Sequence, residues 1–165
     1  AITPKTKAFI FSTPCNPSGS VYTKEELASL VEVFKKYPNI IVISDEIYEY
    51  IQYEHKHESM GQFTELKSRL VIVNGVAKGY AMTGWRVGYI AAPQQIVSAC
   101  NKIQGQYTSG ICTISQAASL EAMQLCPDNS PEIQNMLKAF RNRRDMLFKL
   151  LTEIPGIRLS ICSPK

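Results

Sequence analysis

Three short apolar runs set the fold class of this chain: Ala8-Phe9-Ile10-Phe11, Ile40-Ile41-Val42-Ile43 and Leu70-Val71-Ile72-Val73. Each is rich in β-branched or aromatic residues and breaks off into a polar loop, as strands of a buried parallel sheet do. A helix lies between the first two. Thr23 is its N-cap, Glu26 completes a capping box, and Leu27, Leu30, Val31 and Phe34 form its apolar stripe before Pro38 stops it. After a polar stretch with a short helical segment near Gln62 to Lys67 comes the third strand. Strand, helix, strand, connection, strand predicts an α/β fold with a mostly parallel sheet, right-handed crossovers and flanking helices. Continuous rather than alternating apolar strands predict burial of both sheet faces.

The second half reads differently. Val87 to Ala92 is one more strand, closed by Pro93, and helices are predicted over Gln94 to Gln104 and Ser115 to Leu125. A long helix starts at Ser130-Pro131-Glu132, with a serine cap and a proline at the first helical position. Its stripe of Ile133, Leu137, Phe140, Leu147, Leu151 and Ile154 persists to Pro155-Gly156, a reach of about 35 Å that can bridge two domains. Ile157 to Cys162 alternates as a half-buried strand. Such a strand needs partners and none follow it, so the C-terminus reads as cut.

Composition excludes several classes. The 165 residues are 45% hydrophobic and 19% charged, enough for one domain with a real core. The net charge of +4 is diffuse apart from Arg141, Arg143 and Arg144. Without interleaved aromatic residues these read as a solvated helix face, not a nucleic-acid patch. No apolar run is long enough to cross a bilayer and no signal peptide opens the chain, which predicts a cytoplasmic protein with no membrane partner. Cys15, Cys100, Cys112, Cys126 and Cys162 show neither paired nor metal-type spacing and read as reduced, mainly buried thiols. His55 and His57 read as a wet loop, since nothing nearby completes a metal shell. No metal site is expected.

The chemistry gathers after the strands. Loops at the carboxyl ends of the three predicted parallel strands bring Asn16, then Asp45 with Tyr48, then Lys78 to one sheet edge, where open α/β sheets bind ligands. Arg86 follows eight residues after Lys78. Taken singly, each has an ordinary explanation: a solvated lysine, a helix-capping acid, a packed tyrosine, a good turn at Asn16-Pro17-Ser18-Gly19. Taken together they match one chemistry. A lysine there can condense with an aldehyde cofactor, and an arginine nearby can hold a phosphate.

Asn16-Pro17-Ser18-Gly19, Ser44-Asp45-Glu46-Ile47-Tyr48 and Lys78 through Tyr89, with its Met82-Thr83-Gly84-Trp85-Arg86 core, carry a resemblance across essentially the whole chain. It resembles the class I aminotransferases of the fold-type I pyridoxal phosphate enzymes, close to the bacterial aspartate aminotransferases. The resemblance implies part of the large domain of such an enzyme, truncated at both ends. Residues 1–129 would be the second half of that domain, 130–154 an interdomain helix and 155–165 the first strand of a small domain.

It also implies pyridoxal 5'-phosphate as cofactor. Lys78 would form the Schiff base and shuttle the substrate's α-proton, and Asp45 would pair with the pyridine nitrogen. Tyr48 and Asn16 would bond the ring's phenolic oxygen, Asn16 would also face the substrate carboxylate, and Arg86 would grip the phosphate, which its planar fork suits. Asn16-Pro17 is expected to be cis. Gly75-Val76-Ala77 departs from the family pattern, which places a phosphate-contacting serine there. The implied parent is a homodimer, completed near Gln106 to Thr113, that moves amino groups between an amino acid, with aspartate leading, and a 2-oxo acid. Alone, the chain is expected to be inactive and to expose faces that are normally covered. The rival readings are a C–S lyase of the same fold and a sensor domain of a transcriptional regulator.

Overall fold

The computed structural model describes residues 1–54 and 56–159. Strands β1 (Ala8–Ser12), β2 (Ile41–Asp45), β3 (Leu70–Gly75) and β4 (Gly88–Ala91) form one sheet in that order. The first three run parallel and β4 runs antiparallel to β3, so the mostly parallel sheet is as expected. Ser12 pairs with Asp45, and Asp45 with Val73. The carboxyl ends of the three parallel strands are therefore level, and their loops leave from one edge.

Helix α1 (Lys24–Lys35) covers one face of this sheet. Its capping box is complete: Thr23 Oγ1 accepts from the Glu26 amide at 3.2 Å and Glu26 Oε2 accepts from the Thr23 amide at 2.8 Å. Leu27, Val31 and Phe34 are buried against Val42, Met60, Leu66 and Leu70, with Phe9 stacked at 5.1 Å from Phe34. Burying each such side chain contributes about 1.5–3 kcal/mol, so this layer is the main stabilising element. The predicted helical stretch at 62–67 is instead two 3-10 turns, Met60–Gln62 and Thr64–Leu66. Each turn inserts one apolar residue, Met60 and then Leu66, into the core under α1.

Arg69, one residue before β3, ties the helix to the sheet. Its guanidinium donates to the carbonyls of Phe34 (2.8 Å), Tyr37 (3.0 Å) and Ile40 (2.7 Å). These carbonyls lie at the C-terminal end of α1 and in the turn that leads into β2, where a helix leaves acceptors without intrahelical partners.

Several expectations need correction. The second sheet face is covered only in part: Val71 is buried, while Ile10 is 69% exposed and Ile41 is 37% exposed. Helix α1 covers one face, and the remaining helices bury few residues. Helix α2 (Gln94–Tyr107) buries no residue, and α3 (Thr113–Gln124) buries only Ser115 and Ser119. Helix α4 (Pro131–Thr152) starts at the expected Ser130 cap and buries Ile133, while Leu147 and Ile154 on its stripe are exposed.

The arginine cluster on α4 is not simply solvated. Arg144 donates to Glu54 at 2.9 Å and lies 4.9 Å from the Tyr53 ring centroid, with Arg141 4.0 Å from Glu54. Cys100, Cys112 and Cys126 are exposed and Cys15 is half-buried, so the thiols are not mainly buried. Cys162 and half of the expected strand at 157–162 fall outside the described residues, and residues 157–159 carry no regular structure. No described helix is long and apolar enough to cross a membrane.

Replacing Arg69 by methionine keeps the apolar stem and removes three donors. Hydrogen bonds from a charged group are worth about 1.5–3 kcal/mol each and are not additive, so Arg69→Met is expected to cost about 2–4 kcal/mol. A urea-denaturation midpoint checks this. Arg69→Lys should recover only part of the loss, because an ammonium cannot span three carbonyls as a planar fork does.

Candidate active site

The loop after β1 is pinned to the sheet before it reaches Asn16. The Thr13 amide donates to the Asp45 carbonyl at 3.0 Å, and buried Thr13 Oγ1 accepts from the Tyr22 amide at 3.1 Å. Asn16-Pro17 is cis, as expected, and so is Thr13-Pro14, which nothing in the sequence signalled. Asn16 Nδ2 donates to the Tyr48 hydroxyl at 2.9 Å, across 32 positions of sequence.

Asp45 is the last residue of β2. Its Oδ1 accepts from the Ile47 amide at 3.1 Å, which fixes the carboxylate and leaves Oδ2 without a partner among the described residues. Tyr48 follows in a turn closed by the Glu49 amide donating to the Glu46 carbonyl at 2.9 Å. Lys78 sits in the turn after β3, half-buried, with its carbonyl accepting from the Ala81 amide at 3.1 Å. Lys78 Nζ lies 5.7 Å from the Tyr48 ring centroid, within the range of a cation–π contact. Asn16, Tyr48 and Lys78 thus form one connected series over three loops, with Asp45 at the base of the middle one.

Arg86 stands further along. It adopts a left-handed backbone (φ 57°), is exposed, and donates from Nη1 to the Thr83 carbonyl at 3.1 Å. Non-glycine residues reach this region at a cost, commonly where function holds them there. A positive φ also occurs at Ala81 (54°), in the same loop.

Two supporting features escaped the sequence reading. Gly79 lies against Tyr50: a Cβ on it would sit 2.5 Å from Tyr50 Cδ2 and 3.2 Å from Tyr50 Cβ. The residue after Lys78 therefore has no room for a side chain. The second feature is Glu46, 2% exposed, whose Oε1 accepts from Ser44 Oγ (2.9 Å) and the Met60 amide (3.0 Å) while Oε2 meets His57 Nε2 at 2.9 Å. His57 is accordingly not part of a wet loop: its side chain is 11% exposed. His55 lies outside the described residues. A signal for the pair was present, since adjacent acids at a strand end face opposite sides and the inward one needs a donor.

Burial pushes the Glu46 carboxyl up, but hydrogen bonds from His57, Ser59 and the Met60 amide outweigh it and hold Glu46 below the usual glutamate range. The edge offers an amine, a carboxylate with one free oxygen and a hydroxyl–amide pair, and the loop after Lys78 adds the exposed guanidinium of Arg86. That set is matched to pyridoxal 5'-phosphate, with its aldehyde, ring nitrogen, phenolic oxygen and phosphate.

The family pattern described as "Aminotransferase class I and II" matches residues 1–164. A "bifunctional aspartate aminotransferase and glutamate/aspartate-prephenate aminotransferase" of Petunia hybrida is 44% identical over 160 residues, 96% of this chain and 33% of that protein. The aspartate aminotransferase structure from Rhizobium meliloti superposes with a TM-score of 0.87 at 37% identity, over 94% of this chain and 38% of that one. The Thermus thermophilus aspartate aminotransferase with maleate superposes with a TM-score of 0.85 at 39% identity, over 92% and 39%. The chain thus spans between a third and two fifths of the length of these relatives.

Gly79→Ala is expected to cost about 1–3 kcal/mol through overpacking against Tyr50, and Gly79→Ala with Tyr50→Ala should recover part of it in a double-mutant cycle. For Glu46, a depressed folded pKa means the unfolded chain binds its proton more tightly. The stability it contributes is present above the unfolded value of about 4.3 and is lost as pH falls through the lower folded value. Acid titration of the unfolding midpoint should show Glu46→Gln with a shallower decline than wild type below that pH.

Proposed function

We propose, for a chain that belongs to the class I and II aminotransferase family, that the protein it forms part of is a pyridoxal 5'-phosphate-dependent aminotransferase. It would move the amino group of an amino acid to a 2-oxo acid. The observation that carries this is the convergence of Asn16, Asp45, Tyr48 and Lys78 at the level carboxyl ends of three adjacent parallel strands. The relatives named above are aminotransferases, which favours amino-group transfer over the C–S lyase and sensor readings.

Bound pyridoxal phosphate supplies an electron sink that acidifies the bonds of the substrate's α-carbon. The chain's own residues do the rest. The Lys78 amine would hold the cofactor's aldehyde covalently and, when free, would serve as the base and acid that moves the substrate's α-proton. The free oxygen of Asp45 would accept from a protonated ring nitrogen, and the bond from the Ile47 amide keeps that carboxylate aimed. The Tyr48 hydroxyl and Asn16 amide, already in contact, would donate to the phenolic oxygen, and Asn16 could instead turn its amide to a substrate carboxylate. Arg86 presents a fixed positive charge for the phosphate.

Aspartate with 2-oxoglutarate is the leading substrate pair, supported by the names of the relatives and by the maleate, a C4 dicarboxylate, named with the Thermus structure. Prephenate is the second reading, on the name of the Petunia relative. The domain division follows the same proposal: residues 1–129 in the large domain, 130–154 as the connecting helix and 155–165 opening a second domain. A homodimer in the cytoplasm completes the reading. The stretch Gln106 to Thr113, with Tyr107 85% exposed, would lie near its interface.

Borohydride reduction of the full-length protein with added pyridoxal phosphate, followed by peptide mapping, should place the label on Lys78. A label on another lysine would overturn the assignment. Asp45→Ala should lower turnover by more than a hundredfold, over about 2.7 kcal/mol of transition-state stabilisation, with cofactor affinity much less affected.

A further inference from the structure

We infer that Glu46 and His57 form a positioning pair that sets the direction of Asp45 and the turn carrying Tyr48. The pair touches neither side chain and acts through the backbone. At the end of β2, Ser44 and Glu46 point to the core side while Asp45 points to the other. The strand end can present Asp45 outward only while Glu46 stays inward. Glu46 is held there by the Ser44 hydroxyl, the Met60 amide and His57 Nε2. Met60 is itself fully buried beneath α1, so the tie runs into the rigid part of the fold.

The same residue opens the next turn. The Glu46 amide donates to the Val73 carbonyl at 2.9 Å, and its own carbonyl accepts from the Glu49 amide. Tyr48 lies inside that turn. His57 in turn depends on Glu46, because its Nδ1 is buried without a hydrogen-bond partner among the described residues. Removing His57 would leave a buried carboxylate short of one of its donors, a costly state that the strand end relieves by turning Glu46 outward. Asp45 would turn with it.

The consequence for cofactor binding rests on the function proposed above, whereas the placement of Asp45 does not. The Ile47 amide reports on that placement, since it donates to Asp45 Oδ1. The test uses the full-length protein without cofactor, comparing wild type with His57→Leu, Ser44→Ala and His57→Gln, whose side-chain amide can still donate to Glu46. Hydrogen exchange at Ile47 and Tyr48 is expected to quicken about tenfold in His57→Leu and by a smaller factor in Ser44→Ala. Amides of α1 should be unchanged, and His57→Gln should lie near wild type.

Pyridoxal phosphate titrated into the same proteins should bind about tenfold more weakly to His57→Leu, following the loss of a bond to a charged group. Exchange that rises equally at Ile47 and in α1, or affinity unchanged in a folded His57→Leu, would reduce the pair to a structural role and overturn the inference. Should His57→Leu not fold, unchanged Ile47 exchange in Ser44→Ala would do the same. A wild type that binds no pyridoxal phosphate would sink the proposed function, and the Ile47 exchange would still decide the positioning.

Discussion

The parallel ladder of β1, β2 and β3 is the constraint on which the rest of this structure depends. Because Ser12, Asp45 and Val73 fall in one row, three loops far apart in sequence begin at the same height and side of the sheet. A single-residue slip of β2 would reverse every side chain on it, sending Asp45 into the core and Glu46 outward. Register is specified from the core side: Val42, Ser44 and Glu46 are buried, and α1 packs on the residues that share their face. The apolar packing that stabilises the sheet thus also decides which of two adjacent acids faces away from the core.

Packing around the site is graded. Beneath it, α1, Met60, Leu66 and the Arg69 fork form a closed layer with satisfied polar groups. At the edge, Lys78 is half-buried and Arg86 exposed, in a loop with two left-handed non-glycine residues. Away from it, Ile10, Tyr107, Ile114 and Leu147 present apolar surface to solvent. Proteins carry such surface where another element or chain covers it. A chain that spans about a third of its relatives' length has this open side in common with the expectation drawn from its motifs.

Much of the fold was legible because the signals are local. The Thr23–Glu26 box, the Ser130-Pro131 start of α4 and the three apolar runs each act over a few residues, and each appears where the pattern placed it. That Asn16, Asp45, Tyr48 and Lys78 would meet at one sheet edge was legible for a different reason: loops that follow adjacent parallel strands leave from the same edge. Where the reading failed, the missing term was a distant partner. His57 reads as solvated until Glu46, eleven residues earlier, is placed beside it. Arg144 reads as a free charge until Glu54 and Tyr53 meet it from 90 residues away.

The sequence by itself determined the elements, their order, the caps and the polar residues that follow the parallel strands. These follow from side-chain types at short spacings, where backbone propensity and periodicity act without knowledge of the fold. Tertiary structure alone decided which sheet face α1 covers, that β4 runs antiparallel, and that Arg69 ties α1 to the sheet. It also decided that Gly79 must leave room for Tyr50 and that a buried Glu46–His57 contact lies behind Asp45. Those outcomes depend on contacts between segments whose separation in sequence carries no periodic signal, and burial and hydrogen-bond satisfaction select among them only once the chain has closed on itself.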